Sequence, residues 1–333
     1  MTISIRRPDD MHIHLREGKP LASYAADTTQ WFARGLIMPN TTSPITTPEA
    51  VSQYRAYILK AVPAFTPLMT FKITRDVKPE LVSALKKAGA VAGKYYPKGA
   101  TTNSGDGGED VGDFYPLFQE MEREGLVLSI HCEDPTAPVL EREVAFLCQV
   151  ERIVHRFPRL KLVIEHVSSK ETVSFLKGMP ETVGATITVH HLLLTLDDLL
   201  GSGINPHLFC KPIVKTKADR EALRAAVFSG DRRFFFGSDS APHPRRMKEC
   251  ENGAGGIYSS PVAIPLLAEL FVENGAEALL NDFTGRFGAE FYGLPLNEGT
   301  LTLTEDPWIV ESEYHGVVPL WAGRSVRFRR MLT

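Results

Sequence analysis

The chain has 333 residues, 43% of them hydrophobic and 23% charged, with a formal net charge of -3. That length suits one large α/β barrel or two ordinary domains, and the slightly acidic balance argues against a nucleic-acid or membrane-surface partner. The first residues lack an apolar signal region, no apolar run approaches the ~20 residues of a membrane span, and the scattered cysteines (Cys132, Cys148, Cys210, Cys250) read as reduced thiols of a cytoplasmic protein.

Short apolar runs alternate with longer helical patterns. Strands are expected at Met11–Leu15, Gly35–Met38, Leu68–Ile73, Ala90–Tyr95, Leu126–Ile130, Leu160–Ile164, Val183–Val189 and Phe234–Phe236. Helices are expected at Pro48–Ala61, Pro79–Ala88, Asp110–Glu124, Pro138–Arg156, Ser169–Leu176, Lys217–Phe228 and Pro261–Glu273. Thr47 before Pro48 is an N-cap signal, and Gly89 after Ala88 a C-cap signal. Several strand runs are apolar throughout, as parallel strands covered by helices should be. About eight such alternations predict an α/β fold, a (β/α)8 TIM barrel, as one domain over 1–333 with an irregular appendage from about Leu294.

The first strand carries His12-Ile13-His14-Leu15-Arg16. Alternation along a strand points His12 and His14 the same way, where two imidazoles can grip one divalent cation. Arg16 continues that face with a planar fork for a carboxylate. Two histidines on a surface strand would look the same in this pentapeptide.

The unusual polar residues fall at strand ends. Lys94 follows Val91-Ala92-Gly93, and His131 follows Leu126–Ile130. His166 follows Leu162–Glu165, and Asp239 follows Phe234–Ser238. In a barrel those ends meet at one mouth. Taken singly, a strand-end histidine is usually a satisfied polar residue, Lys94 an ion-pair partner and Asp239 a turn cap. Together they exceed the needs of one zinc ion that also holds water, and suit two metals sharing a bridging group. A buried lysine loses its proton readily, and the free amine can add carbon dioxide to give a bridging carbamate.

Pro8–Arg16, Met38-Pro39-Asn40-Thr41, Lys94-Tyr95-Tyr96-Pro97 with Gly99-Ala100-Thr101-Thr102-Asn103-Ser104, and Gly237-Ser238-Asp239-Ser240-Ala241-Pro242-His243 resemble the signatures of the dihydroorotases. The likeness is to the shorter bacterial class, within the amidohydrolase superfamily. The His-x-His is shared across the superfamily; the Lys94 and Asp239 blocks are much narrower.

The resemblance implies reversible closure of N-carbamoyl-L-aspartate to L-dihydroorotate with loss of water, in pyrimidine biosynthesis. It implies two Zn2+ per subunit, bridged by N6-carboxylysine at Lys94 and by a hydroxide. His12, His14 and Asp239 would bind the more buried metal, and His131 and His166 the more exposed one. Asp239 would also be the catalytic acid–base. Arg16, Asn40 and His243 would hold the substrate carboxylate, and Val214 and Gly255 the ring amides through backbone groups. Thr101 and Thr102 would sit on a closing loop, and the chain would form a homodimer.

Gly105, Gly107, Gly108 and Gly112 make the stretch after Ala100 read as a lid. Beyond Ser104 it departs from the family pattern, with Asp106, Glu109 and Asp110 adding negative charge. His190 and His191 read as structural, His207 as a turn or rim residue, and His155 and His315 as surface residues. Glu133, two residues after His131, could orient that ring. The competing readings are a sister cyclic amidohydrolase (allantoinase or hydantoinase) and a non-catalytic barrel scaffold.

Overall fold

Period-2 polar alternation at Thr2–Arg6 and Thr300–Leu303, and near-continuous apolar runs elsewhere, sort the strands into two sheets. A computed structural model describes residues 1–331. The larger sheet holds β2 (Asp9–Ile13), β3 (Arg34–Ile37), β4 (Thr66–Lys72), β5 (Ala90–Tyr95), β6 (Val127–Ile130), β7 (Leu162–Ile164), β8 (Val183–Ile187) and β9 (Phe234–Phe236), in that order. Every neighbouring pair is parallel. Asp239 N donates to His12 O at 2.8 Å and His14 N to Ser240 O at 3.1 Å, so the ends of β9 and β2 close the barrel.

All eight predicted strands form, with ends shifted by a residue or two. The last turn of the Val183 run is helical because the Thr188 hydroxyl accepts from His191 N at 3.0 Å and starts a helix at Val189. Thr47 caps the helix Pro48–Ala61 as its sequence indicates, accepting from Ala50 N at 3.2 Å.

Two apolar layers separate on either side of the barrel wall. Ile13, Ile37, Phe71, Leu128, Ile164 and Phe236 pack outward against the helices. Met11, Leu36, Ala92, Val127, Val163 and Phe235 fill the interior, with Phe287 against them. This inner plug leaves only the opposite end of the barrel to carry polar groups.

The segment after Leu294, expected to be irregular, contains ordered strands. β1 (Thr2–Arg6) pairs antiparallel with β10 (Thr300–Ile309), which pairs with β11 (Ser325–Arg330). The alternation Thr300-Leu301-Thr302-Leu303 buries Leu301 and Leu303 on one face, while Ile3 and Ile5 of β1 are buried beside them. Among the described residues no helix is long and apolar enough to cross a membrane.

Candidate active site

The polar strand ends converge. A pocket at the mouth is lined by His12, His14, Arg16, Asn40, Thr101, Thr102, His131, His166, Asp239 and Gly255, with Tyr96 and Lys211 added to the expected set. Lys94 is fully buried beside it. Val214 is buried and stays out of the cavity wall. His243 also lies off the wall and reaches the cavity through Arg16, to whose Nη2 its Nε2 is 2.9 Å distant.

The two histidines of β2 face inward for a reason that simple alternation misses. Met11 belongs to the inner layer and Ile13 to the outer one. Between Asp10 and Ile13 the register with β3 shifts, and this irregularity turns His12 and His14 into the mouth. Arg16 is not on the strand at all. β2 ends at Ile13, and Arg16 adopts φ 60°, with Nε donating to Pro242 O at 3.0 Å.

His166 and Asp239 also lie at positive φ, 44° and 42°. Backbone in this region is costly for residues with a Cβ and collects at functional sites. Gly237 permits the approach of β9, since a Cβ there would sit 2.9 Å from both His12 Cβ and Thr186 Cγ2.

One ligand atom from each of His12, His14 and Asp239 lies within 4.8 Å of the others. Asp239 Oδ1 is 3.1 Å from His14 Nε2 and 3.4 Å from His12 Nε2. His131 Nδ1 faces His166 Nε2 at 3.1 Å, and the rings of His12 and His166 are 5.1 Å apart. Burial pushes His12, His14 and His166 below the usual imidazole range, which keeps their nitrogens free to donate to a cation. Burial also lowers Lys94 to about 8 and raises the Asp239 carboxyl. Lys94 Nζ and His166 Nδ1 are buried without any hydrogen-bond partner. This donor set and these orphaned atoms fit a two-cation centre.

Glu165 is the main residue that sequence reasoning passed over. It is fully buried, and its carboxylate accepts from His12 Nδ1 at 2.7 Å, from Thr186 Oγ1 at 2.6 Å and from Ser129 Oγ. One side chain thus ties β2, β6, β7 and β8 together. Those bonds and the nearby Lys94 hold it at about 2 against the opposing effect of burial. The signal was an acid continuing the apolar run Leu162–Ile164. Glu133 does orient its neighbour, with Oε2 2.7 Å from His131 Nε2.

The glycine-rich loop lies folded over the mouth. Asn40 Nδ2 donates to Thr102 O at 3.1 Å, and Asn103 Nδ2 returns a bond to Asn40 O at 3.0 Å. Asp106 pairs with the buried Lys72, and Glu109 with Lys98 at 2.5 Å. His191 is held by Thr188 Oγ1 at 2.8 Å and Pro212 O at 3.1 Å. His190 is buried with both ring nitrogens unpartnered, and a second ligand group, His190, His191 and Cys210, lies behind the mouth. His207 pairs with Glu249 at 2.8 Å, away from the cavity. His155 and His315 are largely exposed.

A barrel mouth with this donor set defines a metal-dependent hydrolase class, and the sequence agrees. The amidohydrolase family model matches residues 9–312, and the chain belongs to that family. Within it, the chain has full-length relatives above 30% identity that are dihydroorotases. The dihydroorotase of Teredinibacter turnerae is 42% identical over 98% of both chains. The crystal structure of dihydroorotase from Campylobacter jejuni has a TM-score of 0.92 at 38% identity, covering 99% of this chain and 98% of that one. Dihydroorotase from Saccharomyces cerevisiae, in complex with 5-fluoroorotic acid, has a TM-score of 0.92 at 34% identity over the same shares.

Proposed function

We propose that this chain, as a dihydroorotase, interconverts N-carbamoyl-L-aspartate and L-dihydroorotate at the barrel mouth. Support comes from full-length relatives at about 42% identity and, in the site itself, from one observation. Donor atoms of His12, His14 and Asp239 cluster within 4.8 Å beside a buried, unpartnered Lys94 amine.

His12, His14 and Asp239 would hold one zinc ion, and His131 and His166 a second. Lys94, as its N6-carboxylated form, would join them. The pair of ions would supply a water acidic enough to attack near neutral pH and would polarise the scissile carbonyl. Asp239 moves the proton, taking it at a carboxylate oxygen and delivering it to the ring nitrogen as the amide opens; ring closure runs this in reverse. Arg16 and Asn40 hold the unreactive carboxylate, with His243 acting through Arg16, and the backbone of Gly255 meets a ring amide. Thr101 and Thr102 close over the ligand and exclude water.

We also read residues 1–333 as one domain working as a homodimer in the cytoplasm, in pyrimidine biosynthesis. Turnover of L-dihydroorotate compared with allantoin and hydantoin, with zinc counted by elemental analysis, tests the assignment. Faster turnover of either competitor, or full activity without bound metal, overturns it.

A further inference from the structure

Four orphaned polar atoms gather at the mouth: Lys94 Nζ, His166 Nδ1, Asn40 Oδ1 and the Tyr96 hydroxyl. The proposed function, on which this inference rests, uses the first three residues and leaves Tyr96 without a task. Alternation through Tyr95 explains why the tyrosine is there. Tyr95 turns outward into an aromatic cluster, its ring 5.5 Å from Phe114 and 6.3 Å from Phe146, so Lys94 and Tyr96 share the inward side. Tyr96 lines the cavity at 2% exposure. Its ring centroid is 5.3 Å from Lys94 Nζ and 6.2 Å from the His131 ring. Gly108 N bonds Tyr96 O at 3.0 Å, which fixes the backbone.

A buried phenol without a partner is disfavoured, and such groups in native proteins call for a reason. The substrate carboxylate is already served by Arg16 and its neighbours. A neutral hydroxyl among imidazoles and a lysine can offer one thing they cannot, an O–H donor to an oxygen that gains charge during reaction.

We propose that Tyr96 is a further catalytic residue, donating a hydrogen bond to the ring carbonyl oxygen as that oxygen becomes tetrahedral and anionic. The nucleophile's oxygen forms a bond to carbon, and the carbonyl π pair moves onto the oxygen facing Tyr96, which keeps its own proton. Collapse restores the π pair and expels the ring nitrogen, which takes the proton carried by Asp239. The hydrogen bond is strongest at the transition state, so it acts on kcat more than on KM.

Tyr96→Phe in the full-length, zinc-loaded enzyme tests this. The expected result is kcat lower by about 10- to 100-fold with KM for dihydroorotate within about 3-fold. Zinc content and the Kd of 5-fluoroorotate should match the parent, and Tm should not fall, because only an unpartnered hydroxyl is removed. A kcat within about 2-fold of the parent overturns the proposal. So does a loss that tracks reduced zinc content, weaker 5-fluoroorotate binding or a lower Tm, each of which makes Tyr96 a support for the ligands or the fold. A parent enzyme that leaves dihydroorotate untouched defeats the underlying reading instead.

Discussion

Arg16 Nη2 stands 2.9 Å from His243 Nε2. A guanidinium only donates, so His243 Nε2 is the acceptor and the imidazole is neutral. Burial and the adjacent Arg16 depress His243 to about 3. His243 therefore braces the fork of Arg16, whose own backbone is held at positive φ. Arg16→Met should raise KM for dihydroorotate by about 100-fold, in line with loss of a charged hydrogen bond. His243→Ala should raise it about 10-fold by freeing the fork. Steady-state kinetics read both; equal KM values in parent and His243→Ala would remove the brace.

Lys94→Ala should abolish activity and lower zinc stoichiometry, with partial rescue of both by short carboxylic acids in solution. Unchanged turnover in this variant would refute a bridging role for Lys94.

Glu165→Gln keeps the volume of the side chain and removes the charge that sets the His12 tautomer. Zinc affinity should fall by about 10- to 100-fold, read by competition with a chromophoric chelator. Affinity equal to the parent would reduce Glu165 to a core tie between strands.

Asp106 clasps the loop through Lys72, which also donates to Asn103 O at 2.6 Å. Asp106→Asn should speed amide exchange across residues 101–108 and raise KM by about 3- to 10-fold, since an uncharged latch holds the closed loop less well. Parent-like exchange in the variant would show that the Asn40–Thr102 and Asn103–Asn40 bonds suffice.

Acid should destabilise the fold through its buried imidazoles, partly offset by Asp10, whose carboxyl burial raises to about 7 and which therefore favours the folded chain as it protonates. His243 at about 3 and His191 at about 4 are both depressed from 6.5 by burial, so they are neutral in the folded chain and protonate more readily when unfolded. Their contribution is complete above about pH 6.5 and is lost as pH falls through 6.5 towards 4 and 3. The slope is roughly 1.4 kcal/mol per pH unit per group. Urea midpoints at pH 7.5, 5.5 and 4.5 should decline in that order. The decline should be shallower in His243→Asn, measured against its own value at pH 7.5.

Much of the barrel was legible because its strands are buried on both faces and read as apolar runs closed by a polar residue. Lys94, His131, His166 and Asp239 stood out for that reason. Other features left weaker signals. The shift in β2 that turns both histidines inward has no glycine or proline to mark it. Arg16 was read as part of a strand because alternation cannot reveal a positive φ. Glu165 was absorbed into the strand it ends, and Tyr96 into the motif around Lys94. The small antiparallel sheet escaped notice because its partners lie nearly three hundred residues apart, as Ile5 and Leu301 do.

That separation bears on how the protein is made. β1 runs directly into the strand bearing His12 and His14, yet its only partner strand among the described residues is β10, and β2 closes against the segment after β9. The ribosome therefore delivers the two histidines first but the segment that closes the barrel against them late. β2 can pair with β3 early, but β1 has no partner strand until about nine-tenths of the chain has emerged. Assembly of the His12, His14 and Asp239 cluster should consequently be a late event in biogenesis.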